Sequence, residues 1–382
     1  MTSPQRGLRG ALSYLVATRL VVNTAHRFVY PFLPAIARGL GISLEQAGFL
    51  VAARSATGMA TPLLSATAGR HGARRRLAVV SLAIFGAGAL ITAATGVIAG
   101  AVVGFVLLGL GKPSFDAAAH AYIADRTPYA RRARYLSVLE LTWATSLLAG
   151  APFAGWMISR YGWRAPFWFV AVAVAIGLFG ARIWMEEDPG PDETPTQRLR
   201  LSRTTGSLLG VIFLYSFSAE TTSVVFGAWL ETDFDLSLVA LGGAATVVGI
   251  AELAGEGGVL AFADSVGKKR MVVGGLAVSA LGYSTLALWN GSLPGGLAAM
   301  ALAFIAFEVT IVTTIPLATE VAAESRATYL ALIMVSLSAA RAAGSATGPA
   351  IFNAGGLSAN ATVSAGVSLL ALAILWSLVE EP

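Results

Sequence analysis

Glu252 and Glu256 stand four residues apart inside an apolar run, and Glu220 and Glu308 each sit alone in another. Two carboxylates on one helical face repel, so one of the 252/256 pair is expected to hold a proton. Taking up and releasing a proton in apolar surroundings is the chemistry of a proton-coupled carrier. The bland alternative for Glu252 is a structural pair with a neighbouring helix, and Glu256 lies close enough to Lys268, Lys269 and Arg270 to be stabilised by that basic turn. Basic residues follow the same spacing. Arg19, Asn23 and Arg27 recur at intervals of four and share a face, with His26 beside it. Such a stripe could orient an anionic or hydrogen-bonding group. Alternatively, Arg19 or Arg27 snorkels or pairs with a carboxylate, Arg27 being placed nearer the outer end.

Lys112, Asp116 and His120 are also four apart. They read either as a structural pair that neutralises itself within one helix, or as a titratable relay with His120 tuned near neutral pH. Pro113 is expected to loosen that helix. Glu140 is expected to be structural, paired with Arg54 or a loop arginine. Arg341 is the obvious basic partner in the second half of the chain, and an Arg341–Glu308 pair is its bland reading. Trp163, Trp168 and Trp229 read as interfacial belt or packing, while Trp143 and Tyr215 are candidates to line a cavity. A charge at the centre of a bilayer costs about 2.5–3.5 kcal/mol, so this many imply a polar cavity. The first half of the set is net basic and the second net acidic.

The elements that must position these residues follow from composition. The chain is 56% hydrophobic and 12% charged, against about 25% charged in soluble domains. Apolar stretches of about 20 residues separate clumps of charge, which identifies a polytopic α-helical membrane protein. A membrane β-barrel would need alternating segments of about 10 residues, which are absent. Spans are expected at about 11–32, 44–66, 77–95, 98–122, 135–158, 165–184, 207–230, 238–262, 271–290, 295–318, 328–352 and 359–379. The expected fold is all-α, with twelve transmembrane helices in two pseudo-symmetric six-helix bundles, residues 1–185 and 207–382. The Pro-rich, charged segment 186–206 is the cytoplasmic linker between them. The N-terminus superficially resembles a signal peptide, but Arg19, Asn23 and Arg27 in the first apolar stretch argue for a retained span.

The net charge of +5 reflects the positive-inside rule rather than nucleic acid. Arginines and lysines cluster at the N-terminus and at 70–76, 126–134, 198–203 and 268–270, whereas the opposite turns carry Arg38, Arg160 and Arg164. Both termini are therefore expected on the cytoplasmic side of the cell inner membrane. With no cysteine and only His26, His71 and His120, no metal site or cofactor is expected. No nucleophile or metal cluster suggests an enzyme, and no phosphate-binding loop suggests ATP drive. An internal repeat is visible. Arg132-Ala-Arg-Tyr-Leu-Ser-Val138 is similar to Arg326-Ala-Thr-Tyr-Leu-Ala-Leu332, and Gly150 and Gly344 each follow the tyrosine by fifteen residues.

The turn Ser65-x-x-x-Gly69-Arg70-His71-Gly72-Ala73-Arg74 resembles the signature turn of the major facilitator superfamily, Gly-x-x-x-Asp-Arg-x-Gly-Arg-Lys/Arg. Arg70, Gly72 and Arg74 match, while Gly69 stands where the Asp is usual. Its counterpart in the second half retains Asp264, Gly267, Lys268 and Lys269, with Ser265 in place of the Arg. Gly150-Ala-Pro152-Phe-Ala-Gly155 is similar to the antiporter motif of drug–proton exporters. Tyr161-Gly-Trp-Arg-Ala-Pro-Phe167 resembles the superfamily's turn between spans five and six. The resemblance implies alternating access around a central site, with Arg70, Gly72, Arg74, Asp264, Gly267 and Lys268 gating the change of conformation. It implies a monomeric secondary transporter working on a small molecule and protons in a lipid bilayer. Proton-coupled export of a small organic molecule is the leading expectation. The alternative is proton-coupled import of an anionic metabolite read by Arg19, Arg54 and Lys112.

Overall fold

Runs of Ala, Leu, Val and Ile in an apolar setting must satisfy their own backbone N–H and C=O groups, and here they do so as helices. The computed structural model describes residues 4–63, 73–187 and 202–379, the side chains of residues 4–6 and of Asp264 excepted, and within them holds no strand. The first helices are α1 (Pro4–Arg27), α2 (Val29–Leu40), α3 (Leu44–Thr57), α4 (Arg74–Thr95) and α5 (Ile98–Arg126). Next come α6 (Tyr129–Thr145), α7 (Ala151–Tyr161) and α8 (Ala165–Trp184). After the linker follow α9 (Arg203–Ser223), α10 (Phe226–Phe234), α11 (Leu238–Val266), α12 (Lys268–Trp289), α13 (Leu293–Val321) and α14 (Arg326–Leu378). Among the described residues, nine helical stretches are long and apolar enough to cross a membrane. One of these contains α14, 53 residues long, whose helical backbone is interrupted at Gly355 and Gly356.

Local chemistry sets the turns. Gly41 takes φ +66° at the end of α2 and returns its N–H to the Arg38 carbonyl. Ser43 then caps α3, exchanging hydrogen bonds with Gln46 in a capping box. Gly267, at φ +89°, joins α11 directly to α12. Several helices reach beyond the expected spans: α1 starts at Pro4, α2 ends at Leu40 and α5 runs to Arg126. Arg and Ala are good helix formers, so the helix continues after the apolar run has ended. For the same reason the expected linker is shorter at its far end, because Ser202 caps α9 at Arg203.

Breaks within the helices lie in matching places. Pro31 cannot donate to the Arg27 carbonyl, and the first stretch divides between α1 and α2 at Phe28. The stretch after the linker divides between α9 and α10 at Val224 and Val225. A π-helical turn, Ser146–Gly150, joins α6 to α7 ahead of Pro152. Small residues allow close approach elsewhere. A Cβ on Gly88 would lie 2.7 Å from the Gly104 carbonyl, so α4 and α5 pack almost backbone to backbone.

At the end of the molecule away from the linker, early and late helices are packed together. A Cβ on Gly227 of α10 would meet the Pro31 carbonyl of α2 at 2.1 Å, and one on Gly48 of α3 would meet the Ser345 carbonyl of α14 at 2.6 Å. Arg38 and Glu231 bridge the same end through bonds of 2.7 and 2.9 Å. Towards the linker end the facing helices are exposed instead: Tyr129 on α6 is 88% exposed and Leu260 on α11 is 86% exposed.

Candidate functional site

Arg27 is the last residue of α1, so its cation sits at the favourable end of the helix dipole, just before the break at Phe28. Its two terminal nitrogens donate to the two oxygens of Glu252 on α11, at 2.5 and 2.6 Å. Nη1 also donates to the Trp143 carbonyl at 3.2 Å, and the guanidinium lies 4.2 Å from the centre of the Trp143 ring. Both members of the pair are buried. Glu252 is thus engaged by a cation 225 positions away in sequence. Glu256 is half-buried and makes no hydrogen bond or ion pair among the described residues.

A second bridge lies beside the first. The Tyr30 hydroxyl on α2 donates to Glu220 on α9 at 3.0 Å, and the Ser345 hydroxyl on α14 donates to the same carboxylate at 2.5 Å. Glu220, expected to stand without a partner, is therefore held by two neutral donors from two other helices. Sequence reading missed both donors. The only signal for them was a hydroxyl one to four residues before a proline, Tyr30 before Pro31 and Ser345 before Pro349.

Arg27, Tyr30, Glu220 and Glu252 line one cavity of about 70 Å³, whose remaining walls include Leu147, Val248, Phe226, Phe304 and Phe307. Arg341 lines it too. Among the described residues it makes no hydrogen bond or ion pair, and its guanidinium lies 5.9 Å from the Trp143 ring. The Arg341–Glu308 pair is not formed. Glu308, on α13, is buried against Gly255 of α11, where a Cβ would come 2.7 Å from the Glu308 Cβ. It too has no hydrogen bond or ion pair among the described residues, and its carboxyl lies in the field of Glu252, Glu256, Arg27 and Arg341. Trp143 lines the cavity, whereas Tyr215 is buried edge-on against Phe307 and does not.

The remaining basic stripe forms a separate network. Arg19 donates to Asp116 at 3.0 Å and to Glu140 at 3.2 Å. Lys112 reaches the other Asp116 oxygen at 2.5 Å, and His120 contacts both the Asp116 carbonyl and the Glu140 carboxylate. Asp116 therefore serves Arg19 as well as Lys112, and the two cations face two carboxylates. Glu140 is partnered by Arg19 and His120, not by Arg54 or a loop arginine. Asn23 donates to Thr142 at 3.0 Å, so Arg19, Asn23 and Arg27 all address α6. Arg54 stands apart, 1% exposed, with one nitrogen donating to the His26 carbonyl at 2.8 Å. Its Nε and Nη2 are buried without acceptors, as is His26 Nδ1.

Of the gating residues named from sequence, Arg74 pairs with Asp125 at 3.3 Å and Lys268 pairs with Glu320. Gly267 forms the turn between α11 and α12. Arg70, Gly72 and the side chain of Asp264 lie outside what the structure describes.

A helical membrane protein with a charged cavity between its early and late helices has the architecture of a transporter rather than an enzyme. The model of the Major Facilitator Superfamily matches residues 15–207 and 208–382, and the chain belongs to that family. It is 28% identical over 243 residues to the uncharacterized transporter YgaY of Escherichia coli O157:H7, covering 59% of this chain and 60% of that one. It is 27% identical over 241 residues to the class C tetracycline resistance protein of Escherichia coli, covering 60% of each. The chain thus spans about 60% of the length of these curated relatives. Among solved structures, a D-xylose–proton symporter superposes with a TM-score of 0.78 at 15% identity, covering 97% of this chain and 98% of that one.

Proposed function

We propose that the chain is a secondary active exporter that moves a small organic molecule by alternating access in exchange for protons. The observation that carries this reading is the Arg27–Glu252 pair, a buried bidentate bridge between an early and a late helix on the wall of the cavity. A carrier must couple occupancy of its site to the relative position of its halves, and a bridge at that place does so. Protonating Glu252 removes its charge and releases Arg27, so one proton changes both the bridge and the cavity. Glu308, buried nearby with no hydrogen bond or ion pair among the described residues, is the second coupling carboxyl. The tetracycline resistance relative favours export for this chain.

In this reading the chain is monomeric and crosses the cell inner membrane twelve times as two bundles, residues 1–185 and 207–382, with the 186–206 linker and both termini cytoplasmic. The break at Gly355 and Gly356, the two family matches and the paired helix breaks support that division. The conformation is then the one open to the cytoplasm. Buried Arg54 and half-buried Arg341, neither of which forms an ion pair among the described residues, favour a second reading, uptake of an anionic metabolite with protons.

Sealed proteoliposomes loaded with a pH dye test the two. Internal alkalinisation on adding an organic cation, lost in Glu252→Gln, is expected for proton exchange. Anion-driven acidification lost in Arg341→Gln would support uptake, and substrate counterflow without proton movement would sink the proton-coupled reading.

A further inference from the structure

Charges on the wall of the cavity do not cancel in the same way throughout. Arg27 and Glu252 face each other in a closed bidentate pair, so neither is free to hold a guest. Glu220 and Arg341 differ. Glu220 accepts from two hydroxyls only, which leaves its negative charge uncompensated, and its Oε2 takes just one long contact, 3.3 Å from Tyr30. A carboxylate offers about four acceptor positions, so Oε2 has room for another donor. Arg341 has five N–H donors and no acceptor among the described residues.

The two groups are neighbours. A Cβ on Gly344 would lie 2.8 Å from the Glu220 Cβ, and Arg341 is one helical turn before Gly344 on α14. They do not reach each other as an ion pair, yet both line the same cavity. The same wall carries the aromatic rings of Trp143, Phe304 and Phe307.

We propose that the cavity binds a compact zwitterion with an apolar or aromatic body, its carboxylate on Arg341 and its ammonium on Glu220. A carboxylate fits the planar fork of a guanidinium, and an ammonium completes the coordination of a half-satisfied carboxylate. The space sets the size. A cavity of 70 Å³ admits about five to seven waters, or on the order of 150–200 Å³ of liquid-like volume. That suits a molecule with the bulk of an aromatic amino acid. The inference rests on the transporter reading for its purpose, but its test is one of binding alone.

Purified protein in detergent would be titrated with L-phenylalanine, phenethylamine and 3-phenylpropionate, and affinity read from the rise in Tm. Phenylalanine is expected to bind at least tenfold more tightly than either singly charged analogue, because each analogue leaves one charged group without its partner. Arg341→Gln should abolish the preference over phenethylamine, and Arg341→Lys should retain part of it. Glu220→Gln should abolish the preference over 3-phenylpropionate. Equal or tighter binding of either analogue by the wild type would overturn the proposal, and this comparison needs no variant to fold. Preferences that persist in the glutamine variants, or no response to any of the three compounds, would overturn it as well. Selective binding with no counterflow in vesicles would instead refute the transport reading and leave the site standing.

Discussion

Neutralising Glu252 should open the molecule at the end where it is now closed. Arg27 and Glu252 are buried, with 7% and 2% of their side chains exposed, and their oxygens and nitrogens meet at 2.5 and 2.6 Å. Removing one partner of such a pair leaves an uncompensated buried charge and costs about 3–5 kcal/mol. In Glu252→Gln that cost falls on the conformation in which Arg27 is sealed against α11. It is relieved in any conformation that lets water reach the guanidinium. At about 1.4 kcal/mol per factor of ten, the balance shifts more than a hundredfold towards the latter. The chain has no cysteine, so a single reporter can be introduced without background. Ala245 lines the cavity and is 1% exposed, and Ala245→Cys would report on its solvent access. The measurement is the rate at which a membrane-impermeant maleimide, applied from the side opposite the linker, modifies that cysteine. It should rise by two orders of magnitude or more in Glu252→Gln. It should fall back towards the parent rate in Arg27→Gln/Glu252→Gln, where no charge is left stranded. A rate within twofold of the parent in the single variant would refute the argument that the pair holds this conformation.

Gly227→Ala should favour the same opening by a different route, since its Cβ would collide with the Pro31 carbonyl at 2.1 Å; overpacking of this kind costs about 1–3 kcal/mol, and unchanged maleimide labelling at position 245 would contradict it. Glu308→Gln should abolish proton movement yet leave substrate counterflow, and undiminished pH-driven flux would remove Glu308 from the coupling path. Asn360 donates from Nδ2 to the Thr221 and Gly348 carbonyls, both at 2.9 Å, and is fully buried. Asn360→Leu strands those carbonyls at about 1–3 kcal/mol each, so thermal unfolding should begin several degrees lower, and an unaltered Tm would show that the bonds carry no net stability.

Spacing was a good guide to what lies on one helix and no guide to what faces it. The four-residue interval correctly joined Lys112 to Asp116 and aligned Arg19, Asn23 and Arg27 towards one neighbour, α6. The same interval put Glu252 and Glu256 on one face but gave no sign that Glu252 is paired with Arg27. Nothing local to either residue encodes a partner 225 positions away. Glu220 shows the converse. Its donors, Tyr30 and Ser345, are neutral hydroxyls, and neutral hydroxyls occur throughout the apolar runs, so they carried little signal. The glycines of the internal repeat were legible and proved mechanically related. A Cβ at Gly150 would strike Thr24 of α1, and one at Gly344 would strike Glu220 of α9. Each lets the helix it belongs to lie against the helix that opens its half of the chain. Helix ends were the least legible: α9 starts at Arg203, ahead of its apolar run, because Ser202 caps it.

The break at Phe28 gives the segment α2 a leverage that an unbroken helix would lack. Twelve residues at about 1.5 Å each make an arm of about 18 Å, hinged beside the guanidinium of Arg27 and ending at Leu40. A tilt of about 10° at the hinge moves the tip of that arm by about 3 Å. That is enough to pull Arg38 out of reach of Glu231, whose bonds to it are 2.7 and 2.9 Å long. A disturbance of atomic size in the cavity is thereby geared up into a parting at the surface, with the protein backbone itself as the crank.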